Sequence, residues 1–169
     1  QSLEAMFLNI PGIKVVAPSD PFTAKALLKS AYLDPDPVLF LEHKALYGSS
    51  GECGDVYSSF PIGKAQLLRS GDEITVISYS RATLTVRKAL SEVSRSVDHI
   101  DLVSLRPIDF ETIKKSVLKT GKVILVEDPT FFGSVMASVA AAISCDEECF
   151  KALKAPVKCV YGEDTPIPF

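Results

Sequence analysis

Ile74-Thr-Val-Ile-Ser-Tyr79, followed by Ala82, Val86, Ala89, Leu90, Val93 and Val97, is the stretch on which the fold turns. The first six residues are β-branched or aromatic at five positions and follow a Gly71-Asp72 turn, which predicts a strand. The later six recur every three or four residues, which predicts an amphipathic helix over 82–96. The alternation continues downstream. Ile100 to Leu105 reads as a strand. Asp109 caps a helix that carries Phe110, Ile113 and Val117 on one stripe, and Gly121 stops it. Lys122-Val-Ile-Leu-Val-Glu127 reads as a fully buried strand, Gly133 to Ser144 as a helix of small residues, and Val157-Lys-Cys-Val-Tyr161 as the last strand.

Upstream the same alphabet appears once more. Ile13-Lys-Val-Val-Ala17 is a short strand ending at Pro18. Asp20 and Pro21 supply an N-cap and a proline at the first helical position, and the helix runs from Phe22 to Leu33. Val38-Leu-Phe-Leu-Glu42 is a second strand. Between Lys44 and Gly63 helical periodicity disappears and Gly48, Gly51, Gly54, Pro61 and several serines take over, which predicts a connection between two units. Strand and helix in strict turn mean an α/β fold of three layers, a mostly parallel twisted sheet with helices on both faces.

Composition narrows the function classes. The chain has 169 residues, 47% of them apolar and 23% charged, with a net charge of −3, so a sizeable core is available. No basic face argues for nucleic acid. The longest apolar stretch, Val135 to Ile143, is too short to span a bilayer as a helix. Gln1-Ser-Leu-Glu-Ala-Met-Phe7 reads as mid-protein sequence, so the expectation is a fragment or a processed chain. Cys145 and Cys149 would share a face on one helix, where two reduced core or boundary thiols are the expectation and a metal or redox pair is the other reading.

Candidate chemistry is sparse. There is no Walker phosphate loop, no Gly-x-Gly-x-x-Gly after a strand and no Gly-x-Ser-x-Gly elbow. His43 ends a strand, where it reads as a general base or, preferably, as an orienting or surface residue. His99, beside Asp98 and Asp101, is expected to be solvated. Glu111, Glu127, Asp128, Glu147, Glu148, Glu163 and Asp164 read mostly as surface charge. The corner Ser30-Ala-Tyr-Leu-Asp34-Pro-Asp36-Pro37 follows a helix C-terminus, whose free carbonyls and two aspartates suit a hard cation. A plain polar turn is the other reading.

Taken in order, several segments resemble the β subunits of the thiamin-diphosphate-dependent component of pyruvate and branched-chain 2-oxo-acid dehydrogenases. They are Gln1-Ser-Leu-Glu-Ala-Met-Phe7, Pro11-Gly-Ile-Lys-Val-Val-Ala-Pro-Ser19, Ala24-Lys-Ala-Leu-Leu-Lys-Ser30, Pro37-Val-Leu-Phe-Leu-Glu-His43 and Leu46-Tyr47. Pro61-Ile-Gly-Lys-Ala65, Leu105-Arg-Pro-Ile-Asp109, Thr112-Ile-Lys-Lys-Ser-Val117, Lys119-Thr-Gly-Lys122, Ala155-Pro-Val157 and Gly162-Glu-Asp-Thr-Pro166-Ile-Pro168 continue the likeness.

The resemblance implies the tail of a pyrimidine-binding domain over 1–45, a linker over 46–60 and a transketolase-type C-terminal domain over 61–169. It implies that the glutamate activating the cofactor and the active-site histidine fall before Gln1, and that thiamin diphosphate and magnesium are held mainly by an α subunit. These 169 residues are therefore expected to carry assembly, not catalysis, and to be inactive alone. Implied partners are the α subunit, a second β copy and the acyltransferase core; the implied location is cytoplasmic, or a mitochondrial matrix or plastid in a eukaryote. A structural potassium ion is implied at Ala31, Tyr32, Asp34 and Asp36, partly through main-chain carbonyls. The last domain of transketolase or deoxyxylulose-phosphate synthase, and a non-catalytic docking module, are the alternatives. The chain departs from the family at Val103, where an arginine is usual, at Ser80, where glycine is usual, and after Asp128, where the next helix lacks a glutamate.

Overall fold

The computed structural model describes residues 3–55 and 58–166. Gln1 and Ser2 of the first resembling segment, Val56 and Tyr57 of the connection, and Ile167 to Phe169 at the end of the last segment lie outside the described residues.

The first unit holds α1 (Glu4–Leu8), β1 (Lys14–Val16), α2 (Pro21–Leu33) and β2 (Val38–Phe40). α2 begins where its cap chemistry demands. The Asp20 side chain accepts the Thr23 N–H at 2.8 Å, the Thr23 hydroxyl oxygen accepts the Asp20 N–H at 3.2 Å, and Pro21 opens the first turn. A 3-10 turn over Lys44–Leu46 leads into the connection.

The second unit contains β3 (Gln66–Arg69), β4 (Ile74–Ser78), α3 (Ser80–Ser91), β5 (Val97–Asp101), β6 (Ser104–Arg106), α4 (Phe110–Thr120), β7 (Val123–Val126), α5 (Val135–Cys145), α6 (Glu147–Ala152) and β8 (Lys158–Val160). Five of its strands form a sheet in the order β3-β5-β4-β7-β8, parallel except for β3 at the edge. Side chains alternate across it. Ile77, Ile100 and Leu125 join Ile113, Val117, Val139 and Ile143 under α4 and α5. Val76, Val97, Ile124 and Val126 meet Val86 and Leu90 of α3 on the other face. The three layers are as expected.

Two departures have physical causes. The expected strand from Ile100 to Leu105 is broken: Val103 has φ +55, a left-handed conformation that turns the chain out of one sheet into another. β6 then pairs antiparallel with β1, giving the three-stranded sheet β2-β1-β6. A truncated first unit leads one to expect residues 15–17 and 38–41 to be frayed, re-paired or left as exposed edges. Its β1 is instead central and buried, with Val15 and Ala17 inside the core of the second unit, and only β2 has a single neighbour among the described residues. Short elements β3, α1 and α6 were not foreseen. α6 also separates the cysteines: Cys145 ends α5 exposed, whereas Cys149 is buried on α6, capped by Asp146. The Val135–Ile143 run is a core helix, with Val135, Met136, Val139 and Ile143 buried.

Candidate functional site

In a parallel sheet the ligand crevice opens at the C-terminal strand ends, where successive connections depart in opposite directions. Here β4 connects to β5 on one side while β5 connects past it to β7 on the other, so the switch lies between β4 and β7. Tyr79 and Arg81 leave β4 at this point, and Glu127 and Asp128 leave β7. His43, just beyond β2, reaches the same rim.

Asp128 faces one guanidinium and one imidazole. Arg81 Nη1 lies 3.2 Å from Oδ1, and His43 Nε2 lies 3.9 Å from Oδ2. His43 Nδ1 accepts the Ala45 N–H at 3.1 Å, so its lone pair is used and a neutral ring carries its proton on Nε2, facing Asp128. Burial holds this imidazole below its ordinary pKa; Asp128 opposes that and Arg81 adds to it. The Ala45 N–H and Asp128 thus hold the two ring nitrogens of His43 in place at the rim.

Glu127 was expected at the surface and is instead 4% exposed. The Ser134 hydroxyl donates to Oε1, the Met136 N–H donates to Oε2 at 3.3 Å, and the Tyr79 hydroxyl donates to Oε2 at 3.4 Å. Burial outweighs these donors and pushes the carboxyl up to about 7, with Glu4 adding repulsion. Glu4 on α1 is also buried and shifted upward by burial, and its Oε2 has no hydrogen-bond partner. The switch point therefore holds Glu127, about half protonated near neutral pH, beside Glu4, whose pKa burial shifts in the same direction.

His99 is likewise a correction. It is 1% exposed, with Nε2 2.8 Å from the Ser78 hydroxyl, and burial pushes it down to about 4. Its neighbours Asp98 and Asp101 are buried on opposite faces of β5. Asp101 accepts the Ser19 hydroxyl and the Val103 N–H (3.2 Å), yet burial raises it to about 7. Alternation along Val97-Asp-His-Ile-Asp101 gave no apolar face to read. The one available signal was the density of hydroxyls elsewhere (Thr75, Ser78, Ser116, Thr120), which are the partners that make such burial tolerable.

The corner after α2 brings Asp34 and Asp36 together, but around an ammonium of this chain. Lys14 Nζ lies 2.7 Å from Asp34 Oδ1 and 3.0 Å from Asp36 Oδ2. Ala31 and Tyr32 belong to the last turn of α2, where carbonyls have no intrahelical donor. Any further cation here would use those carbonyls, since the two carboxylates already serve Lys14. No group of three or more His, Cys, Asp or Glu side chains is placed to hold a metal among the described residues. None of their helices is long and apolar enough to cross a membrane.

Beside the rim, Pro18, Pro21, Ala24, Leu46 and Tyr47 line a mostly apolar cavity of about 200 Å³, with Asp20, Glu42 and His43 at its edge. That is below the ~300–1,000 Å³ of typical cofactor sites, and its edge carboxylates would repel a diphosphate. These residues alone do not fit thiamin diphosphate.

A sheet of order β3-β5-β4-β7-β8 joined through β6 to the end of a preceding α/β unit defines an α/β fold built of two units with helices on both faces. The chain belongs to the transketolase C-terminal domain family, whose family model matches residues 63–169; that of the transketolase pyrimidine-binding domain matches residues 1–50. It is similar to the 2-oxoisovalerate dehydrogenase subunit beta of Bacillus subtilis (strain 168), 47% identical over 173 residues, covering 98% of this chain and 51% of that protein. It is also similar to the mitochondrial pyruvate dehydrogenase E1 component subunit beta of Caenorhabditis elegans, 41% identical over 176 residues, covering 100% of this chain and 50% of that one. The chain thus spans about half the length of the curated relatives it matches. Among solved structures, a chain described as a split gene transketolase, inactive beta4 tetramer, superposes with a TM-score of 0.73 at 23% identity, over 95% of this chain and 52% of that one.

Proposed function

We propose that these residues act as the C-terminal half of the β subunit of a 2-oxo-acid dehydrogenase, in which thiamin diphosphate supplies the carbanion chemistry and the protein supplies position. The observation carrying this reading is the ordered match of a pyrimidine-binding tail and a transketolase C-terminal domain, with similarity to two dehydrogenase β subunits along the whole chain. The role of this half is assembly: pairing with a second β copy and an α subunit, and docking the acyltransferase core that receives the acyl group. Magnesium and the cofactor diphosphate would then be bound by the α subunit, and the compartment would be that of the parent complex. Purified alone, the 169-residue chain is expected to show no 2-oxo-acid decarboxylation with thiamin diphosphate and magnesium, while the complete β subunit co-expressed with its α subunit turns over. Turnover by the chain alone, or failure of the complete subunit to bind an α partner, overturns the reading.

The domain limits proposed are 1–45, 46–60 and 61–169. Limited proteolysis is expected to cut first between Gly48 and Tyr57, with the bonds inside residues 74–128 resistant; early cleavage within 74–128 would refute these limits. At the α2 corner, potassium is proposed on the main-chain carbonyls of Ala31, Tyr32, Asp34 and Asp36. In the assembled complex potassium should raise Tm more than sodium, because an ion bound only by the native state stabilises it. Equal effects of the two ions would remove the site.

A further inference from the structure

We propose that the cavity between β3, β5 and α3 binds a phosphoryl group, apart from the switch point and independently of the dehydrogenase reading. The cavity has a volume of about 350 Å³ and is lined by Leu68, Arg69, Arg87, Leu90, Ser91 and His99. Its two guanidiniums come from different elements, β3 and α3, so the site is built by the fold and not by a local run of basic residues.

Arg69 is the stronger anchor. Nη1 donates to the Leu90 carbonyl at 3.0 Å and Nη2 to the Arg95 carbonyl at 2.8 Å. Those bonds fix the guanidinium plane at the C-terminal end of α3, whose carbonyls offset part of its charge, and Arg69 has no carboxylate ion-pair partner among the described residues. A preordered guanidinium loses little entropy on binding an oxyanion and presents several donors to it. Arg87 adds a second charge. Its one anionic partner is Asp20, through a long 3.3 Å contact on a side chain 40% exposed, which leaves further donors for a ligand. Ser91 lies at the rim with its hydroxyl donating to the Lys88 carbonyl at 2.7 Å, and Leu68 and Leu90 supply apolar wall.

The floor is neutral. His99 is held far below its ordinary pKa by burial and by Arg87, so at pH 7 its ring carries no charge. The negative groups on this face are Asp20, already on Arg87, and Asp101, which burial keeps half protonated near neutrality and whose oxygens are taken by Ser19 and Val103. Two arginines against one committed carboxylate and one half-neutral one leave net positive potential over the cavity. A tetrahedral dianion offers oxygens to two guanidiniums on different elements at once, which a planar carboxylate does less well, and the volume admits a phosphorylated small molecule as readily as free phosphate.

The chain has two histidines, which makes the test internal. In the 169-residue chain, inorganic phosphate is titrated at pH 7 and constant ionic strength while the ring carbon–proton NMR signals of His99 and His43 are followed. The expected result is a saturable shift of His99 with His43 stationary, a far weaker effect of acetate, and loss of affinity by about tenfold or more in Arg87→Gln and Arg69→Gln. A phosphorylated small molecule run as a second arm tells a larger ligand from free phosphate by its tighter saturation. If His99 does not move in the wild-type chain, if both histidines drift together without saturating, or if folded Arg87→Gln binds as well as wild type, the proposal is wrong.

Discussion

Replacing Asp98 by alanine is expected to destabilise the chain by about 2–4 kcal/mol, a large share of the roughly 5–15 kcal/mol that holds a domain together. Asp98 is 2% exposed and organises three elements. Its carboxylate accepts the Gly71 N–H at 2.7 Å and the Ser116 hydroxyl at 2.7 Å, and Lys119 Nζ lies 2.5 Å away. Burial by itself would raise this carboxyl, but the Gly71 N–H, Lys119 and Ser116 together hold it below the ordinary carboxylate value. The ammonium of Lys119 is 40% exposed and can return to water, and the Ser116 hydroxyl keeps Thr75 at 2.7 Å, so most of the loss comes from the stranded Gly71 N–H. Gly71 cannot shift to compensate, because it packs so closely on β5 that a Cβ there would stand 2.2 Å from Val97 N. Urea unfolding of Asp98→Ala and Asp98→Asn measures the effect; asparagine, which keeps an acceptor, should lose less. A loss below about 1 kcal/mol for alanine would show that the network contributes little.

The second large effect is a pH dependence of opposite sign. Glu127 is raised to about 7 in the folded chain from an ordinary value of 4.5, so the native state binds the proton more tightly than the unfolded state. Stability from this group is full below about pH 4.5 and is lost as pH rises through 7, by about 3 kcal/mol at ~1.4 kcal/mol per unit. Asp101, also raised to about 7, acts in the same direction. Asp98, held low, acts in the other: its contribution is present above its unfolded value near pH 4 and is lost on further acidification. His99, pushed down to about 4, opposes this by destabilising as pH falls below about 6.5, so it offsets one of the two raised carboxyls and the net gain on mild acidification is correspondingly smaller. Glu127→Gln, a mimic of the neutral acid, should be more stable than wild type at pH 8 and nearly equal to it at pH 5. Unfolding curves at the two pH values decide; an unchanged slope with pH in the variant would place the titration elsewhere.

How much of this was legible in the sequence depended on how local the cause was. α4 was read with its cap and its stop because Asp109 and Gly121 act within one turn: Asp109 accepts the Thr112 N–H, and Gly121 takes φ +68. The ion corner was half legible. Spacing put Asp34 and Asp36 together, but the cation facing them comes from Lys14 on another strand. The polar core was not legible at all. Nothing in Asp98-His-Ile-Asp101 marks it as buried until Thr75, Ser78, Ser116 and Ser19 arrive from four other places in the chain. The departure at Val103 was visible as an unusual residue, but a β-branched side chain argues against the left-handed turn it adopts, and β6 was accordingly fused to β5.

That turn at Val103 has a consequence for how the molecule could be divided. The backbone between the two units runs through an irregular connection, while the adhesion between them runs through β1 and β6, paired Val15 to Arg106 and Val16 to Ser104, with Ala17 N–H donating to the Val103 carbonyl at 2.8 Å. Covalent continuity and cohesion are therefore carried by different parts of the chain. A nick near Gly51 severs the first and leaves the second, so the two polypeptides should elute together under native conditions and part only in denaturant. Produced separately, they make a natural pair for fragment complementation, with a strand of each supplying the missing neighbour of the other.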